Sequence, residues 1–230
     1  MKIVLITGDN LRHFNFIFHI SKVIKIDLII SQKKIYPSKK LRILEKKLFN
    51  SVKNQISDLN IVEIESIELN SSVCYNMIRN QKPDFIFTFG CGLLKPKIFN
   101  LAKKGCINLH TGLTQYYRGV DSTLWAIYDD RFDRIGVTLH YIDNSIDGGG
   151  VIDQRNLDFN KIKKEDDINS IFIKVCLIGF ELFIDNIKNI LNDEIIIRDT
   201  KIGKLFQNKD KTKKIVDLVN KKITDFYMTL

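Results

Sequence analysis

The chain has 230 residues, 44% of them hydrophobic and 27% charged, a balance that fits a globular protein and not a disordered one. With 3 prolines, 12 glycines and no apolar run near the roughly 18 residues of a membrane span, collagen-like, low-complexity and transmembrane readings are excluded. Thirty-six basic against 27 acidic residues leave a net charge of +9, which favours anionic partners.

The lysines are spread along the chain and no recognised nucleic-acid motif accompanies them, so a nucleic-acid partner is disfavoured. Residues 1–30 lack the pattern of a signal peptide, and Cys74, Cys91, Cys106 and Cys176 are too scattered for a zinc site or a disulfide framework. A cytoplasmic protein with reduced thiols and no metal is expected.

Residues 2–7 form an apolar, β-branched run that stops at Gly8, as a buried parallel strand does. Asp9 and Asn10 are N-capping residues, and Phe14, Ile17, Phe18, Ile20 and Ile24 then make a helical stripe. A strand over 27–31 completes a βαβ unit. The spacing next predicts one basic helix over 38–57, a strand at 61–64, a helix over about 71–80 and a strand over 84–89. A short helix from Pro96, strands at 106–109, 135–142 and 150–155, and a long helix capped by Asp166 and Asp167 follow. The last forty residues alternate short strand and basic helix. This alternation predicts an α/β fold, a Rossmann-like, parallel-rich sheet with helices on both faces. The expected organisation is a core over 1–160 and a small helix and strand extension over 161–230.

In such sheets ligands bind beyond the carboxyl ends of the strands, and three segments place polar residues there. After the first strand, Asp9, Asn10, Arg12 and His13 open a helix, where free N–H groups and a basic side chain suit an anion. An ordinary capped helix with a solvent-facing Arg12 is an equal alternative. At the end of 106–109, Asn108 and His110 share one strand face, pairing an amide donor with a group that moves protons near neutral pH. Asp147 precedes three glycines, where a carboxylate can orient His110 while the backbone approaches a ligand. The residues taken alone leave strand-end caps and a plain turn open for these last two. No Ser or Cys has the setting of a covalent nucleophile.

Taken together, the segment 105–154 resembles the folate-dependent formyltransferases. Gly105-Cys-Ile-Asn108-Leu-His110 followed by Tyr117-Arg118-Gly119 is similar to their G-x-x-N-x-H-x-S-L-L-P-x-x-x-G. Gly136-Val-Thr-Leu-His140 resembles their G-x-T-x-H, and Asp147-x-Gly149-x-Val151 their D-x-G-x-I. Gly112, Leu113, Thr114 and Gln115 stand where the family has S-L-L-P, so its serine and proline are missing.

The resemblance implies a formyltransferase fold and transfer of a formyl group from N10-formyltetrahydrofolate to an amine. Asn108 would hold the oxyanion, His110 would take the amine proton and Asp147 would orient His110. Phe89, Gly90, Leu93, Leu94, Ile142, Asp143 and Asn144 would hold the pterin, and Asp9, Asn10, Arg12, His13, Tyr116 and Arg118 the acceptor. Among subfamilies the sugar-nucleotide N-formyltransferases match best, with dTDP-4-amino-4,6-dideoxyglucose as leading acceptor, a role in O-antigen synthesis and a homodimer. Phosphoribosylglycinamide formyltransferase and methionyl-tRNA formyltransferase are the alternatives. A catalytically silent nucleotide- or RNA-binding domain is the reading from another class.

Overall fold

The first strand, β1 (Ile3–Gly8), is buried along its whole length, which follows from apolar side chains on both of its alternating faces. It lies between β2 (Leu28–Gln32) and β4 (Phe85–Phe89), and β3 (Ile61–Ile64) and β5 (Gly105–His110) flank these; all four pairings are parallel. The seven-stranded order is β3-β2-β1-β4-β5-β7-β8, and β7 (Gly136–Tyr141) and β8 (Val151–Asn156) run antiparallel to each other. The chain is thus mostly parallel α/β, as the alternation of elements predicts. This computed structural model describes residues 1–35 and 38–228. They divide into two compact units, the first Met1–Leu109 with Tyr141–Asn144, the second His110–His140 with Ser145 onward.

In the first unit one sheet face is formed by Val4, Ile6, Leu28, Ile30, Ile86 and Cys106. It is covered by Cys74 and Ile78 of α4 (Ser72–Gln81) and Ile98 and Phe99 of α5 (Pro96–Phe99). Alternation sends Ile3, Leu5, Phe85 and Phe87 to the other face, where they are equally buried. Helix α1 (Leu11–Ser21) buries Phe14, Phe16, Ile17 and Ile20, and the Phe16 ring lies 5.0 Å from that of Phe89.

The single basic helix expected over 38–57 is two helices, α2 (Lys39–Phe49) and α3 (Val52–Gln55). Asn50 and Ser51 separate them, residues whose side chains compete for backbone groups and favour helix ends. Helix α2 is tied to α1 by a buried ion pair, Arg12 Nη1 to Glu45 Oε1 at 2.5 Å, and Glu45 also accepts from the Arg12 N–H.

In the second unit the 24-residue α7 (Ile168–Leu191) starts where its cap predicts, with Asp167 accepting from the N–H groups of Asn169 and Ser170. Helix α8 (Lys213–Met228) buries Val219 and Ile223, and its Phe226 stacks on Phe132 at 4.1 Å. A short strand absent from the sequence expectations, β6 (Tyr117–Gly119), pairs in parallel with β9 (Lys204–Phe206). Helix α6 (Ser122–Tyr128) follows β6, and its Trp125 stacks on Phe206 at 4.3 Å.

Glu45 is fully buried, so Glu45→Ala would strand the Arg12 charge in the interior. A loss of about 3–5 kcal/mol of unfolding free energy is expected, readable by urea titration. A change below about 1 kcal/mol would show that the pair does not hold α2 in place.

Candidate active site

His110 ends β5, His140 lies near the end of β7, and Asp147 stands in the turn that leads to β8. All three belong to the second unit, and their side chains are 8%, 2% and 16% exposed. Asp147 Oδ2 lies 3.5 Å from Nδ1 of His110, and Oδ1 lies 3.6 Å from Nε2 of His140. The Gly119 N–H donates to Oδ2 at 2.9 Å. Asp147 adopts a left-handed backbone, φ +49°, which a short polar side chain tolerates. A β-bulge between Leu139 and His140 adjusts the end of β7.

Burial alone would raise the Asp147 carboxyl; the two imidazoles and the Gly119 N–H outweigh it and hold its pKa well below the ordinary carboxylate range. Burial, aided by His140, pushes His110 below its ordinary value of 6.5 against the pull of Asp147. At neutral pH the cluster is therefore a carboxylate beside a neutral imidazole, the state a proton acceptor needs.

Ser122, at the first position of α6, was not among the residues read from the sequence. Its Oγ lies 3.1 Å from His110 Nε2 and donates to the Tyr117 carbonyl at 3.2 Å. Arg118 was expected to border the acceptor. Its Nε donates to the Gly203 carbonyl at 2.8 Å and its Nη1 to the Ile146 carbonyl at 2.9 Å, which braces the turn before Asp147. Tyr116 is 37% exposed, with the Arg134 guanidinium 4.1 Å from the centre of its ring.

Asn108 precedes His110 by two positions in β5, so strand alternation puts both on one side of the chain. The Thr88 hydroxyl donates to Asn108 Oδ1 at 2.8 Å, and with the amide turned this way Nδ2 is the end able to donate to an oxyanion. Thr88 pairs directly with Asn108 across β4 and β5, a partnership invisible to motif reading.

The residues expected to hold a pterin all fall in the first unit. Phe89 ends β4 and is buried, Gly90 turns with φ +64°, Leu94 is buried, and Leu93 is 68% exposed. The Ile142 N–H donates to the Cys106 carbonyl at 2.7 Å, which anchors the exposed Asp143 and Asn144 beside β5. Apolar side chains and a turn lacking a side chain fit a flat heterocycle with polar edges.

Of the four residues after β1, Asp9 accepts from the Lys34 N–H at 2.8 Å, and Asn10, Arg12 and His13 are buried. Arg12 is neither solvent-facing nor turned outward, because Glu45 holds its guanidinium. The His13 ring fills the space above Gly8 and Gly90: a Cβ at either would come within 2.5 Å or less of it. Its Nδ1 accepts from the Asn10 N–H at 3.1 Å, while its buried Nε2 has no partner among the described residues.

The family model for formyl transferase matches residues 1–184. The chain belongs to the formyl transferase family. A methionyl-tRNA formyltransferase from Lysinibacillus sphaericus is 30% identical over 142 residues, 61% of this chain and 44% of that protein. The chain spans less than half the length of the curated relatives it matches. A sugar N-formyltransferase structure from Shewanella sp. covers 97% of this chain and 88% of its own, with a TM-score of 0.69 and 17% identity. The N-formyltransferase of Helicobacter canadensis, solved with folinic acid and dTDP-3-aminofucose, covers 92% and 73%, with a TM-score of 0.60 and 21% identity. At these identities the structures speak for the fold.

Burial holds both His13 and His110 below the ordinary 6.5, so the unfolded chain binds protons first on acidification. Stability should be full above pH 6.5 and fall below it, by up to about 1.4 kcal/mol per pH unit for each histidine. Urea midpoints between pH 7.5 and 5 test this; a flat profile across that range would contradict it.

Proposed function

We propose that the chain transfers a formyl group from N10-formyltetrahydrofolate to the amine of a nucleotide-linked amino sugar. The observation that carries the reading is the buried imidazole of His110 facing the ionised Asp147, with Asn108 two residues earlier in the same strand. The folate supplies the activated formyl carbon when bound. Asn108 Nδ2 donates to the formyl oxygen, where negative charge grows as the amine attacks. His110 takes the proton the amine must lose, and Asp147 balances the resulting imidazolium. His140 and the Gly119 N–H keep Asp147 ionised and in place. No covalent intermediate on the protein is required; positioning and charge stabilisation do the work.

The sugar-nucleotide acceptor is supported by the likeness over nearly the whole chain to sugar N-formyltransferase structures. Within that class dTDP-4-amino-4,6-dideoxyglucose, destined for O-antigen, is the leading acceptor. A core over 1–160 with an extension over 161–230, a homodimer and a cytoplasmic setting belong to the same reading. Among the described residues no helix is long and apolar enough to cross a membrane. A methionyl-tRNA acceptor is the second reading, favoured by the names of the curated relatives and the charge of +9.

The test is release of tetrahydrofolate from N10-formyltetrahydrofolate with dTDP- and UDP-linked amino sugars, glycinamide ribonucleotide or charged initiator tRNA. Turnover with a sugar nucleotide alone is expected; turnover with tRNA alone would replace the acceptor, and absence of folate binding would remove the reading. His110→Ala and Asp147→Ala should each lower turnover by about 10²–10⁴-fold in a folded protein. Thr88→Val frees the Asn108 amide to turn, and a fall in kcat of about tenfold with KM little changed is expected. Equal kcat in that variant would show that Thr88 does not orient Asn108.

A further inference from the structure

The hydrogen bonds around His110 run in one direction. The Tyr117 carbonyl can only accept, so the Ser122 hydroxyl that bonds it at 3.2 Å spends its single proton there. The Ser122 oxygen, 3.1 Å from His110 Nε2, is then left as an acceptor, and it calls for a proton on Nε2. The Tyr117 carbonyl itself lies close enough to the imidazole to favour its protonated nitrogen. On the other edge of the ring, Nδ1 lies 3.5 Å from Asp147 Oδ2, beyond the length of a formed N–H to carboxylate bond.

We infer that Ser122 is a positioning residue that keeps neutral His110 protonated on Nε2, so that Nδ1, the nitrogen facing Asp147, is the proton-accepting atom. The inference rests on the reading of His110 as the base. In the reaction the amine proton passes to Nδ1 and the imidazole becomes a cation. The Asp147 carboxylate, 3.5 Å from Nδ1, balances that charge, and the Nε2–H remains on Ser122. No proton travels through the serine. The titratable groups near the ring are Asp147, 3.5 Å from Nδ1, and His140, whose own Nε2 lies 3.6 Å from Asp147 Oδ1.

The local sequence supports the arrangement. Where the family pattern has serine the chain has Gly112, and a Cβ there would lie 2.3 Å from the Ser122 Cβ, 2.5 Å from its Oγ and 2.7 Å from His110 Nε2. A side chain at 112 would therefore occupy the space of the Ser122–His110 bond. The Gly112 carbonyl accepts from the Thr138 hydroxyl at 2.7 Å, which fixes this bare backbone in place. With position 112 bare, a hydroxyl reaches the imidazole from Ser122 at the start of α6.

The experiment is 15N NMR of histidine-labelled protein, which distinguishes a protonated Nε2 from a protonated Nδ1 and needs no substrate. The His110→Asn spectrum identifies the signal. In the unmutated protein, neutral His110 should carry its proton on Nε2. In Ser122→Ala the Nδ1-protonated form should rise, because the carboxylate then draws the proton, and kcat should fall about tenfold with KM little changed. Ser122→Cys, nearly isosteric and a weaker hydrogen-bonding group, should lie between the two. A proton on Nδ1 in the unmutated protein, or an identical tautomer and kcat in Ser122→Ala, would overturn the inference. The expected tautomers in a protein that transfers no formyl group would uphold the Ser122 assignment while removing the catalytic reading.

Discussion

A carboxylate that stays ionised while mostly covered has to be compensated, and the second unit is organised around compensating Asp147. Two imidazoles face its oxygens and one backbone N–H bonds it directly. These groups come from the end of β5, the end of β7 and the last residue of β6, so three separate segments converge on one side chain. Removing any of them leaves a buried charge less balanced, and in a low-dielectric setting that cost is large. The same balance that keeps Asp147 charged leaves His110 neutral, because burial outweighs the attraction of the carboxylate for an imidazolium. An ionised acid beside a neutral base is the result.

The convergence depends on backbone held at close range. Gly119 sits so near β9 that a Cβ would come within 2.1 Å of the Phe206 carbonyl, and its φ of +86° is one that glycine adopts without strain. A Cβ at Gly203 would come within 2.4 Å of the Tyr116 backbone. The β6–β9 pairing and the two bonds of Arg118 join the Asp147 turn, the Gly119 N–H and the segment after α7 into one braced assembly. Residues 203–206 therefore support the site at a distance along the chain, and stacking of Phe206 on Trp125 connects that support to the helix that starts with Ser122.

In the first unit the side chains after β1 serve the packing of α1 and α2. Arg12 is neutralised by Glu45, and His13 is wedged over two glycines at the ends of β1 and β4. A basic residue at a helix start reads equally well as an anion ligand or an internal strut. The fully buried Glu45, 33 positions away in sequence, decides the placement of Arg12.

The parallel α/β class, the strands at 61–64 and 84–89 and the cap of α7 were legible in the sequence, because strand runs, helical stripes and capping residues are local signals. The pairing of Asp147 with His110, 3.5 Å apart in the structure, was an expectation that a pattern of fixed spacing had already raised. Folding decided what lies far apart along the chain. The β6–β9 pairing joins segments 87 residues apart at Tyr117 and Lys204, and no periodicity announces it. Thr88 on the Asn108 amide, Ser122 on the His110 ring and Glu45 on Arg12 follow from register, helix docking and burial. A residue's type and its neighbours in sequence state which bonds it can make; only the packed chain determines which partner arrives within hydrogen-bond distance, and so which way an amide turns and which nitrogen holds a proton.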